Sequence, residues 1–249
     1  MHNCPSVSVV VCAHNEENYI AGCLESIIRN NDGSLLEIIV VDNKSTDRTA
    51  EIAQHYPVEL VRNDRFLGLT STRLVGLLHS KGDLTAYVDT DNKITPQWFG
   101  IIRREFTKSK NLVCLSGPYR YPELDRARYW THRILNFIFS WTMYLIYGVM
   151  VRGGNFVIRK ECVDDFRNVA HITHFHGEDV LLSQYFAKRG TCKYVEDFWV
   201  AASIRHFQKT GFFRLQCAYL IDFLSIKVFH MFKKSRANEY KWQMNTGQS

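Results

Sequence analysis

Two aspartates, Asp89 and Asp91, close the stretch LTAYVDTDN directly after an apolar run, and a third, Asp42, closes LEIIVVD. A buried strand does not end in crowded carboxylates without compensation, because like charges at close range resist ionising together. A hard divalent cation supplies that compensation. The side chains on offer are oxygen donors, which favour Mg²⁺ or Mn²⁺ over Zn²⁺. Such ions take one or two carboxylates and complete their shell with substrate phosphates. The chemistry implied is the holding of a diphosphate, best supplied by a nucleotide. A lone D-x-D is more often a solvated turn, since aspartate is common in turns. The preceding buried strand and the companion Asp42 argue for the site.

The elements that must position these acids follow from periodicity. VSVVVCA (7–13), LEIIVVD (36–42), VELVRN (58–63), LTAYVD (84–89) and NLVCLSG (111–117) are short apolar runs of the kind buried in a parallel sheet. Between them, Ile20, Cys23, Leu24, Ile27 and Ile28 recur at helical spacing. Further helices are predicted over STDRTAEIAQHY, capped by Ser45 or Thr46, over TSTRLVGLLHSKG, and after Thr95-Pro96 as cap and first-turn proline. Alternation of this kind predicts an α/β fold, a mostly parallel sheet with helices on both faces. Ligands of such sheets bind beyond the carboxyl ends of the strands, where Asp42, Asp89 and Asp91 gather.

The bulk properties narrow the class. The 249 residues suit one α/β domain, or one with a small appendage, and 46% hydrophobic with 22% charged residues is ordinary for a globular chain. A net charge of +6, spread along the chain, suits acidic small molecules or an anionic membrane surface and not a nucleic acid. Seven scattered cysteines without a C-x-x-C pair read as reduced thiols of a cytoplasmic protein. VSVVVCA is too short for a signal segment.

VVCAHNEENYI, VVDNKSTDRT, AYVDTDN and GEDVLLSQYFAKRG resemble, in order and approximate spacing, the motifs of family 2 inverting glycosyltransferases, over about residues 6–210. The resemblance implies a GT-A-type, Rossmann-like fold, a nucleotide-diphospho-sugar donor and a divalent metal, Mg²⁺ or Mn²⁺, at the D-x-D. By position, Ala13, His14 and Glu16 line the base and ribose, and Asp42 accepts from the nucleobase. Asp89 faces ribose or metal, Thr90 lies beside it at the donor, and Asp91 binds the metal. Cys12, His14 and Asn43 stand where many members carry proline, tyrosine and a second aspartate, which leaves the nucleotide open. Asp179, beside Glu178, is the choice for the base that deprotonates the acceptor hydroxyl. RGGNFVIRK also matches the family: Gly153 and Gly154 permit close approach to a ligand, and Asn155 is assigned to sugar hydroxyls. Gly68 and Arg73 are placed near the nucleotide. Arg205, His206 and Lys209 are placed over the diphosphate, with His206 as a third metal ligand. His171, His174 and His176 read as part of an acceptor-side loop.

The glycosyltransferase domain is therefore expected over 1–210, with a nucleotide-binding half (1–116) and an acceptor half (117–210). An apolar, basic helical tail occupies 211–249. Residues 134–151 carry no charge and are just long enough to span a bilayer. A single crossing would separate Asp89 and Asp91 from Asp179, so the alternatives are a buried helix, a hairpin dipping into lipid or a helix lying at the interface: peripheral contact at the cytoplasmic face of the membrane, or soluble packing or a homo-oligomer interface. Membrane contact would suit a lipid-linked or cell-envelope acceptor. Two competing functions are a sugar nucleotidyltransferase, disfavoured because AHNEENY is not a glycine- and arginine-rich loop, and a non-catalytic nucleotide-sugar binder. A dinucleotide-dependent dehydrogenase is excluded by the lack of G-x-G-x-x-G after the first strand.

Overall fold

A computed structural model of the chain describes residues 5–63, 67–147, 151–163, 178–211 and 214, without the side chains of 139, 143–147, 178–181, 206, 209 and 210. The chain divides into two compact units, 1–203 and 204–249. In the first, seven strands form one sheet in the order β3-β2-β1-β4-β8-β6-β9. They are β1 (Val7–Ala13), β2 (Leu35–Asp42), β3 (Glu59–Arg62), β4 (Leu84–Asp89), β6 (Leu112–Ser116), β8 (Asn155–Arg159) and β9 (Thr191–Tyr194). All run parallel except β8, which lies antiparallel between β4 and β6. A smaller sheet joins β5 (Asn92–Ile94), β10 (Val200–Ala202) and β7 (Tyr119–Arg120) in the order β5-β10-β7. The stretch CKYVEDFWV (192–200) thus supplies most of β9 to the large sheet and the start of β10 to the small one.

Side-chain alternation divides the core into two layers. Val9, Val11, Ile38, Val40, Ala86 and Val88 face one layer with Trp98, Phe99 and Phe198, while Val10, Ile39, Val41 and Tyr87 face the other. Helix α1 (Ile20–Arg29) covers the first layer through Ile20, Cys23, Leu24 and Ile27, the predicted stripe. Each such aliphatic residue stabilises the fold by about 1.5–3 kcal/mol on burial. Ile28 lies at the margin, 38% exposed. On the opposite face α3 (Leu69–His79) presses so close that a Cβ on Gly76 would lie 2.2 Å from Val10 Cγ1.

Two predicted caps are not used as such. Helix α2 (Thr49–Ala53) starts after Arg48 without a side-chain cap, because Ser45 and Thr46 are engaged with another loop. Helix α4 (Trp98–Lys108) begins beyond Thr95, whose hydroxyl instead donates to the Trp199 carbonyl at 3.4 Å beside β10. Most of the apolar segment 134–151 belongs to α5 (Arg126–Tyr147). No helix among the described residues is long and apolar enough to cross a membrane. Helix α6 (Glu178–Ala187) packs Leu182, Tyr185 and Phe186 into the second layer. The second unit contributes the short helix α7 (Arg205–Thr210). The expected helical tail and the trio His171, His174 and His176 lie outside the described residues.

Candidate active site

Strand order brings the acids together. β1 lies between β2 and β4, with Ala13 in register with Asp42 and Cys12 in register with Asp89. The two aspartates therefore flank the carboxyl end of one strand, where the chain turns outward in opposite directions and a ligand crevice forms. Asp91 follows two residues on, pinned by the Ser203 N–H, which donates to its carbonyl at 3.1 Å. The Cys23 thiol of α1 donates to the Asp89 carbonyl at 3.6 Å. Burial first, then the charges of Asp89, Asp91 and Glu16, push this thiol far above its usual range. Four acids thus meet at the rim: Glu16, Asp42, Asp89 and Asp91.

A cation offsets part of that charge from within. Arg73 is 2% exposed, and its guanidinium lies 3.7 Å from Asp89 Oδ1 and 5.7 Å over the Phe156 ring. It backs the aspartate from inside the fold, so its position is neither that of a solvated helix arginine nor on the open rim. Gly154 meets Asp89 from the β8 side. A Cβ there would lie 2.0 Å from Asp89 Oδ2 and 2.9 Å from the Tyr119 hydroxyl. The close approach this glycine permits is that of a carboxylate of the same chain. Its N–H donates to the Tyr119 hydroxyl at 2.6 Å, and its carbonyl accepts from Asn92 Nδ2 at 3.0 Å. Sequence spacing carried no signal for Tyr119, Asn92 or Cys23, because their partners lie far away along the chain.

The loops after β1 and β2 are held together by polar side chains acting on backbone. Asn15 adopts a left-handed φ of 55°, a conformation asparagine tolerates. Its Oδ1 accepts the Thr46 N–H at 2.8 Å, and its own N–H donates to Ser45 Oγ at 3.0 Å. The Glu16 N–H donates to Thr49 Oγ1 at 2.7 Å. His14 Nδ1 donates to the Asn43 carbonyl at 2.9 Å, leaving Nε2 to accept from Asn15 Nδ2 at 3.4 Å. Asn43 clamps Leu67 with both ends of its amide, each contact 2.8 Å. An aspartate could not donate to the Leu67 carbonyl, which gives the departure to asparagine a structural use. Asp42 is 5% exposed and accepts the Ser45 N–H at 3.1 Å.

The remaining candidates divide. Thr90 is buried within the D-x-D turn. Gly68 caps α3, its carbonyl accepting the Thr72 N–H at 3.0 Å. Asn155 is fully buried, its Oδ1 accepting from Trp98 Nε1 at 3.0 Å and its Nδ2 donating to the Phe198 carbonyl at 2.6 Å. That amide is engaged within the core. Glu178 and Asp179 open α6, with side chains outside the described set. The helix is tethered one turn later, where Ser183 Oγ accepts the Val151 N–H at 2.9 Å, just ahead of Gly153. Arg205 opens α7 in the second unit, and the side chains of His206 and Lys209 are not described.

No group of three or more ligating His, Cys, Asp or Glu side chains converges among the described residues. Two aspartates separated by one residue, with buried Arg73 behind the partly exposed Asp89, still fit a hard divalent ion of the sort that takes one or two carboxylates and leaves the rest of its shell to phosphate and water.

Comparison with known proteins agrees with this architecture. An uncharacterized glycosyltransferase of Haemophilus influenzae is 33% identical over 122 residues, which are 47% of this chain and 38% of that protein. The chain thus spans well under half of that relative's length. The fold is shared with the TarS fragment 1–349 of S. aureus in complex with UDP-GlcNAc (TM-score 0.61, 18% identity, covering 80% of this chain and 58% of that one). It is shared equally with the mannosyltransferase PcManGT of Pyrobaculum calidifontis in complex with GDP-Man and Mn²⁺ (TM-score 0.60, 17% identity, 82% and 58% covered). These neighbours define the fold as GT-A. The model of glycosyl transferase family 2 matches residues 8–166, more than half of the chain, which therefore belongs to that family.

Proposed function

We propose that the chain is a metal-dependent inverting glycosyltransferase of hexosyltransferase type, moving a sugar from a nucleoside-diphospho-sugar to an acceptor hydroxyl. The observation that carries this reading is the gathering of Asp42, Asp89 and Asp91 at the ends of neighbouring strands, with Asp89 braced between Arg73 and Gly154. Asp42 accepts a hydrogen bond from the nucleobase, in a crevice walled by Ala13, His14 and Glu16. Asp89 and Asp91 would hold Mg²⁺ or Mn²⁺, which would supply positive charge against the negative charge growing on the departing diphosphate. Complexes of structural neighbours with UDP-GlcNAc and with GDP-Man and Mn²⁺ support this donor class while leaving the base open.

Inversion requires attack on the anomeric carbon from the face opposite the leaving group, with the acceptor proton removed as the bond forms. Asp179 takes that proton. Its position in the first turn of α6, one turn from the Ser183–Val151 tether, supports the assignment. A lipid-linked or cell-envelope glycan is the acceptor class this reading favours.

The test is a thermal-shift screen of nucleoside diphosphates with and without Mn²⁺, since a ligand selective for the native state raises the melting temperature. Metal-dependent stabilisation by one nucleotide, lost in Asp91→Ala, is the expected result. Release of nucleoside diphosphate, and not pyrophosphate, from the matching donor separates transfer from nucleotidyl chemistry. A chain that binds no nucleotide under any metal condition refutes the proposal.

A further inference from the structure

Helix α5 is turned the opposite way from an ordinary surface helix, which buries its apolar stripe and shows its polar face. Among the described side chains, its inner side carries polar groups at His132 and Asn136. His132 is buried edge-on against Tyr121, with ring centroids 4.7 Å apart, and Asn136 accepts from Arg152 Nη2 at 2.5 Å. Its outer side shows Trp130, Ile134, Phe137, Ile138 and Trp141, each between 52% and 66% exposed. These positions follow i, i+4, i+7, i+8 and i+11, one face of the helix. A contiguous bare apolar face of this kind marks an interaction surface.

Charge identifies the occupant. Between Arg126 and Tyr147 there is no Asp or Glu, while Arg126 and Arg128 are exposed and Arg133 is partly so. Arg128 pairs with Asp125 at 3.3 Å and Arg133 with Glu196 at 3.7 Å, solvent-exposed pairs of the kind that are weak and exchange readily for other anions. Arg126 and Arg133, seven residues apart, border the apolar face. A two-fold contact with a second copy would set this cationic rim against an identical one. An anionic lipid surface complements both features: the aromatic and aliphatic side chains enter the headgroup boundary and the arginines meet lipid phosphates. We infer that α5 lies flat on an anionic membrane surface through its Trp130–Trp141 face. The inference specifies the peripheral contact that a lipid-linked acceptor would suit, and it stands or falls without any sugar transfer.

Full-length protein is sedimented with vesicles of phosphatidylcholine alone and with roughly one-third phosphatidylglycerol added. Binding is expected to the anionic vesicles, weakened by salt, and reduced at least ~10-fold in the double variant Phe137→Ser/Trp141→Ser, with an unchanged melting temperature. Because the tail also carries Lys233, Lys234 and Arg236, the variant discriminates between the two segments. Acyl-chain bromine should quench tryptophan fluorescence in the wild type and lose most of that effect in Trp130→Phe/Trp141→Phe. Absence of vesicle binding overturns the inference. So does equal binding by the double variant, which assigns contact to the tail, or a vesicle-independent dimer that the variant dissociates. Donor turnover measured on the same preparations keeps a failure of docking distinct from a failure of the transfer reading.

Discussion

The strand-end rim and helix α5 belong to the same compact unit and have opposite electrostatics. At the rim, Glu16, Asp42, Asp89 and Asp91 gather, and a buried arginine, Arg73, lies 3.7 Å from one of them. The charges carried by α5 itself are arginines, two of them paired at its border with Asp125 and Glu196, and another arginine, Arg152, reaches the helix from beneath. The same residue type has opposite consequences. Arg73 compensates carboxylates and so lets them collect where a phosphate-bound metal fits. Arg152, together with burial as the larger cause, keeps the His132 imidazole neutral, its pKa pushed down to about 4. A buried cation favours ionisation of an acid and disfavours protonation of a base. The proposed cation site and the inferred membrane-facing helix thus differ in the sign of the charge they carry.

The sharpest way to break this comparison is at the proposed base. Asp179→Asn is expected to lower transfer by about 10³-fold, within the range for removing general base catalysis, while the nucleotide-dependent thermal shift of the rim persists. Normal transfer by this variant would remove Asp179 from the mechanism. Next in size is the acid response of α5. Because His132 has a lower pKa in the folded chain than unfolded, the unfolded state binds more protons between pH 6.5 and 4. The stability present above pH 6.5 is lost as pH falls through that window, by about 3 kcal/mol in total. His132→Gln should flatten that part of the stability–pH curve in denaturant titrations. Parallel curves for the two proteins would show that His132 is not held neutral.

Smaller effects test the bracing of the rim. Gly154→Ala places a methyl group 2.0 Å from Asp89 Oδ2, so the carboxylate must shift. Turnover is expected to fall about 10²-fold, the scale of a misplacement near 1 Å, with a loss of metal-dependent nucleotide stabilisation. An alanine variant with wild-type turnover would show that the rim tolerates displacement of Asp89. The smallest effect is expected from Asn43→Asp, which removes the donor to the Leu67 carbonyl at a cost of about 1–2 kcal/mol. Chemical denaturation measures it, and an unchanged midpoint would dismiss the clamp.

Much of the scaffold was legible in local spacing. The apolar runs that end in Asp42 and Asp89 are strands, and Ile20, Cys23, Leu24 and Ile27 are the buried stripe of a helix. Readings that depended on a side chain's partner fared differently. Ser45 and Thr46 looked like helix caps because hydroxyls favour that position, yet the loop after β1 captures both. Nothing in local spacing foretold that Trp98 and Phe198 hold the Asn155 amide in the core. An uncharged helical segment is ambiguous as to which side faces inward, and α5 turns its apolar side out.

The sequence by itself determined the alternation of strands and helices and the placing of acids at strand carboxyl ends, since both follow from periodicities over a few neighbouring residues. Only the tertiary structure decided that Arg73 backs Asp89, that β8 enters antiparallel to bring Gly154 against the same carboxylate, and that Tyr119 and Cys23 line that corner. Those contacts join residues from 16 to 66 positions apart. They are set by strand order and by the direction of one strand, which local spacing does not encode.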